Sequence, residues 1–287
     1  MLCCIGDLVE DVVVWPTAVR KRGTDTPSQV FRRRGGSAAN VAVLAIEAGG
    51  YSRFIGQVGD DRLGVVLIEE MTNSGVDLQI ARGGRTGTIV VLVEPDGERT
   101  MLPDRGAAVQ LEAAPDGALD GVAWLHVPGY SLIAEPLGAT SRSLIDSGRA
   151  AGIPVSIDAS STGLVKGFGT AQFREQLRAI QPAVLFCNRE EAELLDVDRE
   201  HPFPGAGLSV IKAGPDPVLL VEPSGVATEV PVPGVQNVTD TTGAGDAFAA
   251  GFLVARITGA GDVDAAVAGI ELAATVLLRP GAGEHDH

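Results

Sequence analysis

Aromatic residues are scarce in this sequence, at 4% of its 287 positions, so its interior has to be assembled from Val, Leu, Ile and Ala rather than from stacked rings. Basic residues are also under-supplied. Lys and Arg number 22 against 37 Asp and Glu, a net charge of -15 that repels phosphate backbones and anionic lipid. Nucleic acid and membrane surfaces are therefore not expected partners, and no apolar stretch approaches the ~18 uninterrupted residues of a membrane span. The start of the chain lacks a basic leader, and Asp7, Glu10 and Asp11 break its apolar run, so no signal peptide is expected. Cysteines are few: Cys3, Cys4 and Cys187, two of them adjacent, cannot make a disulfide framework, and a reducing, cytoplasmic setting is the expectation.

What is abundant is aliphatic. With 45% hydrophobic and 21% charged residues the chain suits a compact core of the α/β or α-rich kind. At ~150 residues per domain its length allows one large domain, or one domain carrying a small accessory piece. A chain of this size buries about three quarters of its unfolded surface and needs no disulfide or metal staple.

Leu2 to Gly6 reads as a buried strand, and Val12 to Trp15 as a second apolar run that stops at Pro16. Thr17 to Ser28 is polar, a loop or edge strand. Gly35-Gly36-Ser37 precedes a small-residue helix, Ala38 to Ala48, ended by Gly49-Gly50, and the strand Arg53 to Gln57 follows. Thr86 to Thr100 alternates around Ile89, Val91 and Val93 and turns at Pro95-Asp96-Gly97, a hairpin signal. Together with Val12 to Phe31 it can form a small sheet apart from the main body. From Gly121 onward, strands (Val122 to Val127, Pro154 to Ile157, Ala183 to Cys187, Leu208 to Ile211, Val218 to Val221) alternate with helices (about Pro136 to Ala151, Ala171 to Ala179, Arg189 to Leu195), the order of a largely parallel sheet. Two helices, Ala247 to Ile257 and Val263 to Leu278, precede a polar tail, where Glu284 to His287 reads as a frayed end.

Three local patterns can carry chemistry. Asp240-Thr241-Thr242-Gly243-Ala244-Gly245-Asp246 leads into an apolar helix, and a glycine turn there exposes backbone N–H groups that attract anions. Asp246 at such a site is either a general base or a cap. Thr258-Gly259-Ala260-Gly261-Asp262 repeats five of the letters and reads as a helix-helix turn, with Gly259 as C-cap and Asp262 as N-cap. Asn188-Arg189-Glu190-Glu191 follows a buried strand, where α/β sheets bind ligands; Asn188 and Glu191 either hold water and Mg²⁺ near phosphates or form a capping box. Gly35-Gly36-Ser37-Ala38-Ala39-Asn40 lets backbone approach a ligand, and Asn40 is out of place in so apolar a helix. Asp11, in a polar break between apolar runs, stands out in the same way. A Walker A sequence, a first-strand dinucleotide fingerprint, zinc-spaced Cys/His and a G-x-S-x-G elbow are all missing.

In this order, Asp11, Gly35-Gly36-x-x-x-Asn40, Asn188-x-x-Glu191 and Asp240 to Asp246 resemble the PfkB/ribokinase family of carbohydrate kinases. Phe54 to Asp61 is also typical of that family, and the likeness spans almost the whole chain. The resemblance implies an α/β, ribokinase-like three-layer αβα sandwich over residues 1–287. Its sheet would be mostly parallel, with a small β-lid from about 12–31 and 86–104. It implies ATP and Mg²⁺ as cofactors and a primary hydroxyl of a small sugar or sugar acid as acceptor. Asp246 would be the base, and Gly243, Ala244 and Gly245 the anion hole. Asp11, Gly35, Gly36, Asn40 and Arg105 would hold the substrate. Asn188, Lys212, Gly214, Thr241, Gly243 and Gly245 would hold ATP, and Asn188 and Glu191 Mg²⁺ through water. Asp240 and Thr242 resemble a loop that binds a monovalent cation such as K⁺ in part of the family, and relatives often form homodimers through the lid.

The sequence also departs from the pattern. Pro217 stands where a second glycine is frequent, and Gly106-Ala107-Ala108 replaces the usual Gly-Ala-Asn. Arg105 is an added positive charge near the lid, either meeting a substrate carboxylate or phosphate or closing a lid salt bridge. The alternatives are a nucleoside kinase, for which the lid offers only Trp15 and Phe31 to stack on a base, and a sugar-binding regulator without catalysis. A nicotinamide oxidoreductase lacks its fingerprint.

Overall fold

Leu2 and Cys4 face one helical layer and Cys3 and Ile5 the other, which is why the first strand reads as an unbroken apolar run: both faces of its sheet are covered. The computed structural model describes residues 1–94, 99–235, 238 and 241–278. The strands of its main sheet are β1 (Leu2–Ile5), β4 (Ser52–Val58), β5 (Asp77–Arg82), β8 (Trp124–Pro128), β9 (Val155–Asp158), β10 (Val184–Asn188), β11 (Ser209–Ala213), β12 (Asp216–Val221) and β13 (Ala227–Val230). They lie in the order β13-β12-β11-β10-β9-β8-β1-β4-β5. Neighbours are parallel from β5 to β11, and the β11-β12-β13 edge is antiparallel. Helices α1 (Ser37–Glu47), α2 (Arg62–Asn73), α8 (Ala244–Ile257) and α9 (Asp262–Leu277) pack on one face. On the other face lie α3 (Tyr130–Ile133), α4 (Leu137–Ala150), α5 (Thr162–Phe168), α6 (Thr170–Ile180) and α7 (Arg189–Leu195). This is the three-layer sandwich.

A second sheet of four strands, β3 (Ser28–Gly35), β2 (Val9–Pro16), β6 (Thr86–Val93) and β7 (Arg99–Gly106), stands apart from the first. A parallel β2–β6 pairing joins its two antiparallel hairpins. Val13, Val91 and Val93, with Trp15 and Phe31 against them, make its own small core. The polar stretch 17–27 lies between strands rather than in one, and β3 runs on through Arg32, Arg33 and Arg34 to Gly35.

Some elements differ from the sequence expectation. α2 and β5 were not expected, although Leu63, Leu67 and Met71 recur at helical spacing in α2 and Leu78 and Ile80 alternate in β5; α2 also exposes Val65 and Val66, and β5 is a short edge strand. α8 starts three residues before the apolar run, at Ala244, because the first turn is polar for a reason given below. Asp262 is the first residue of α9 rather than its cap; Gly261 is the cap, and Asp262 instead pairs with Arg256 at 2.9 Å. The Pro95 to Gly97 turn and the tail Glu284 to His287 lie outside the described residues. Among the described residues no helix is long and apolar enough to cross a membrane.

α8 is the most enclosed helix, buried along Ala247 to Val254, with Phe248 and Phe252 edge-on to Phe186 of β10. It meets α9 through two glycines. A Cβ on Gly251 would lie 2.6 Å from the Ala268 carbonyl oxygen, and one on Gly269 2.7 Å from that of Phe248. Backbone cannot yield as a side chain does, so Gly251→Ala should cost about 1–3 kcal/mol through overpacking. Thermal unfolding followed by circular dichroism should show a lower Tm by several degrees; an unchanged Tm would show that the helices part freely.

Candidate active site

The first turn of α8 opens where its helix dipole is strongest. Gly243, at φ 79°, is the N-cap in the left-handed region and supplies no side chain to cap the turn. The Ala244 N–H turns back to the Thr241 carbonyl at 3.3 Å, so of the anion-hole residues expected from the sequence, Ala244 has its donor engaged within the loop. Asp246, third in the helix, is half-buried. Its carboxylate accepts from Ser37 Oγ at 2.7 Å and from Asn40 Nδ2 at 2.9 Å. Asn40 Oδ1 in turn accepts from Arg34 Nη1 at 2.7 Å. The polar residue that looks misplaced in α1 is thus held from one side and holds Asp246 on the other. Burial pushes the Asp246 carboxyl up to about 6; the Ser37 and Asn40 hydrogen bonds oppose this, Asp158 adds to it and Lys212 subtracts.

The turn between β3 and α1 has no room for side chains. A Cβ on Gly35 would sit 2.2 Å from Asp11 Oδ1, and one on Gly36, at φ 101°, would sit 2.1 Å from the Asp7 carbonyl oxygen. Asp11 therefore lies directly over Gly35, with Arg33 at 3.9 Å. Burial raises its pKa, and Arg33 and Arg34 lower it. Arg105 closes a side-on ion pair with Asp7 at 2.5 and 2.6 Å, donates to the Tyr130 carbonyl at 3.1 Å and stacks over the Tyr130 ring. Of the two readings of Arg105, the salt bridge is the one formed here.

Strands β9, β10 and β11 end side by side; β9 delivers Asp158, β10 Asn188 and β11 Lys212. Lys212 of β11 meets Asp158 of β9 at 2.7 Å. Its Nζ would be 3.3 Å from a Cβ on Gly245, so the ammonium lies against the first turn of α8. Burial acts to lower the Lys212 pKa, but Asp158, Glu191 and Asp246 together raise it. Asn188 and Glu191 form a reciprocal capping box, each N–H donating to the other's side chain at 2.8 Å. The capping geometry is present, and both residues still line the cleft. Burial and Asp158 push the Glu191 carboxyl up to about 7.

Asp158, Asn188, Glu191, Lys212 and Asp246 line one end of a cleft of about 1010 Å³, whose lining does not include Asp11, Gly35, Gly36, Asn40 or Arg105. Its other end is apolar, walled by Val218, Val232, Phe248, Ile270 and Leu277, with Gly214 at φ 61° in the β11–β12 turn beside it. Strand β7 of the smaller sheet reaches across with Met101 and with Arg99, whose guanidinium donates to Thr242 Oγ1. Asp240 lies outside the described residues.

The model of the pfkB family carbohydrate kinase matches residues 1–286. The chain belongs to this family. Among its relatives, the ATP-dependent ribose-1-phosphate kinase of Halopiger xanaduensis is 33% identical over 248 residues, 81% of this chain and 76% of that one. The fructokinase of Klebsiella pneumoniae is 31% identical over 273 residues, 87% of this chain and 82% of that one. The fold matches a sugar kinase from Pyrococcus horikoshii solved with ATP, at TM-score 0.84 and 24% identity over 98% of this chain and 94% of that one. It also matches the adenosine kinase of Sinorhizobium meliloti, at TM-score 0.83 and 23% identity over 96% and 93%.

Membership of the PfkB family makes the reaction phosphoryl transfer to an alcohol, and the cleft combines apolar walls with a charged end where Lys212 and the α8 N-terminus meet three carboxylates. Among the described residues no three His, Cys, Asp or Glu gather as a metal cage. Asn188 and Glu191 are oxygen donors beside a second carboxylate, a set that fits Mg²⁺ held mainly by phosphates and water.

Sequence reasoning missed Ser37, Arg34, Asp158, Arg99 and the Asp7 partner of Arg105. Asp158 had a signal, a carboxylate ending a buried strand; Arg99 had none.

Because the folded-state pKa of Asp246, about 6, lies above the ordinary aspartate value of 3.8, the folded protein holds the proton more tightly. Stability is gained as pH falls through about 6 toward 4 and is lacking above 6. Asp246→Asn should therefore be more stable than wild type at pH 8, by up to about 3 kcal/mol in urea unfolding, and the difference should fade near pH 4. A less stable variant at pH 8 would show that the ionised carboxylate is not a burden.

Proposed function

We propose that this PfkB-family kinase transfers the γ-phosphoryl of ATP to a primary hydroxyl of a small sugar, with Asp246 as general base. The observation that carries this is the placement of Asp246: a half-buried carboxylate oriented by Ser37 and Asn40, on a first helical turn that no side chain caps, with Lys212 beside that turn. Asp246 takes the hydroxyl proton as the new O–P bond forms and the bond to the β-phosphate oxygen breaks, releasing ADP. The N–H groups of the Gly243 to Gly245 turn, freed by a small opening of the Ala244 contact, stabilise the charge on the transferring group, the largest expected electrostatic contribution. Lys212 balances the charge of the leaving nucleotide, while Thr241 and Gly214 flank it. Asn188 and Glu191 would hold Mg²⁺ through water, and the ion would supply neutralisation of phosphate charge. Asp240 and Thr242 are assigned to a monovalent cation such as K⁺.

Asp11, Gly35, Gly36 and Asn40 frame the acceptor subsite. Since the Arg105 charge is taken up side-on by Asp7, the subsite suits a neutral sugar better than a sugar acid or phosphosugar. The outer lid face carries Val30 and Leu102, 54% and 53% exposed, with Val14, Leu92, Val90 and Val12 in register between them. A homodimer through this face is part of the proposal, and light scattering tests it.

ADP release should be stimulated by a member of a panel of fructose, ribose, ribose 1-phosphate, ketodeoxygluconate and adenosine, and Asp246→Asn should abolish it by about 10²–10⁴-fold. Stimulation by adenosine alone would make this a nucleoside kinase, and binding without ADP release a sugar-sensing regulator. The pH profile of kcat/KM should fall on the acid side with an apparent pKa near the Asp246 value of about 6; an acid limb absent down to pH 5 would remove Asp246 from the role of base.

A further inference from the structure

The motif Gly59-Asp60-Asp61 is left unexplained by the chemistry of the cleft, yet it sits where the β6–β7 hairpin leaves the body. Thr86 and Gly106 face each other as the first pair of that hairpin. The Asp61 carboxylate accepts three hydrogen bonds there: from the Thr86 N–H at 2.8 Å, the Thr86 hydroxyl at 2.6 Å and the Gly64 N–H that starts α2 at 2.8 Å. Thr86 Oγ1 accepts from the Gly59 N–H at 3.0 Å and is buried. Around this knot the chain closes without side chains. A Cβ on Gly59 would lie 2.2 Å from the Thr86 nitrogen, one on Gly64 2.4 Å from the Gly59 carbonyl oxygen, and one on Gly87 2.3 Å from that of Arg105. The nearby Arg85–Asp104 pair is more than half exposed and adds little.

The far end of the same hairpin carries the residues that reach the cleft. Arg99 pairs with Val93, seven residues beyond Thr86, so the lever from root to tip is roughly 23 Å. A rotation of about 10° at the root would carry Arg99 about 4 Å, enough to break its contact with Thr242, since a polar contact does not survive such a gap. We infer that Asp61 and Thr86 are the pivot of the lid, positioning residues that set the hairpin's angle and so the placement of Arg99 and Met101 over the cleft. Only a carboxylate suits the position, because every group converging on it is a donor. An asparagine would set its NH₂ against one of them.

The test uses the full chain with Asp61→Asn, Thr86→Val and Thr86→Ser. Amide hydrogen exchange without substrate should rise several-fold across residues 86–106 in Asp61→Asn and Thr86→Val, while residues 244–257 stay as protected as in wild type. Thr86→Ser, which keeps the hydroxyl, should resemble wild type. With the sugar that stimulates ADP release, the first two variants should raise KM about tenfold and change kcat by less than about threefold. Unchanged exchange at 86–106 in Thr86→Val, equal rises at 86–106 and 244–257, or Thr86→Ser as impaired as Thr86→Val would each overturn the pivot. The kinetic arm rests on the kinase reading above, whereas the exchange arm does not: if wild type turns over no sugar that reading fails, and exchange still decides the pivot.

Discussion

Three carboxylates and one ammonium share the buried end of this cleft, and the structure around them is arranged so that they can stay there. Asp246, Asp158 and Glu191 outnumber Lys212, and isolated ions removed from water cost several kcal/mol each. The excess is contained in different ways. Asp158 takes the Lys212 ammonium directly, Asp246 takes two neutral donors, and Glu191 shares a cap with Asn188. The raised carboxyls of Asp246 and Glu191 are the residue of strain left over. In the proposed function a metal-bound polyphosphate would relieve this site, its cation answering the carboxylates and its oxygens Lys212 and the helix N-terminus.

That arrangement depends on which ends of which strands are brought together. β9, β10 and β11 are parallel neighbours, so their C-terminal ends lie in one row and supply Asp158, Asn188 and Lys212. α8 approaches the same row because it packs between α1 and α9, and its first turn therefore meets Ser37 and Asn40 as well as Lys212. Three chain segments, each more than thirty residues from the next, meet at this one turn. Gly251 and Gly269 set how closely α8 can lie, and the apolar wall of the cleft comes from the same helices. Core packing and site geometry are in this sense one construction, and the family's chemistry follows from it.

The lid adds a second sheet with a core of its own, too small to be rigid by packing alone. Val13, Val91 and Val93 are its fully buried members. Its orientation therefore has to come from its roots, where Arg105 ties the end of β7 to Asp7 and Tyr130, and where Asp61 ties the start of β6 to α2. Both ties are charge-assisted hydrogen bonds, directional enough to fix an angle.

Much of this was legible in residue order. The apolar runs of β1, β8, β10 and β11, and the glycine turn before α8, mark a parallel sheet with a ligand at its strand ends because burial on both faces and exposed N–H groups leave local signs. Asn40 stood out for the same reason, as a polar residue in an apolar helix. α2 and β5 were missed although both are amphipathic, because α2 interrupts its apolar stripe with the exposed Val65 and Val66 and β5 is a short edge strand. Neither was the choice made by Arg105, which a sequence leaves open between a substrate anion and a lid aspartate. The sequence by itself determined the family, the layers and the residues able to do chemistry, because those depend on local pattern and spacing. Only the tertiary structure decided which charge answers which, placing Asp158 under Lys212, Asp7 under Arg105 and Arg99 on Thr242, because such pairings join residues far apart in the chain and leave no periodicity behind.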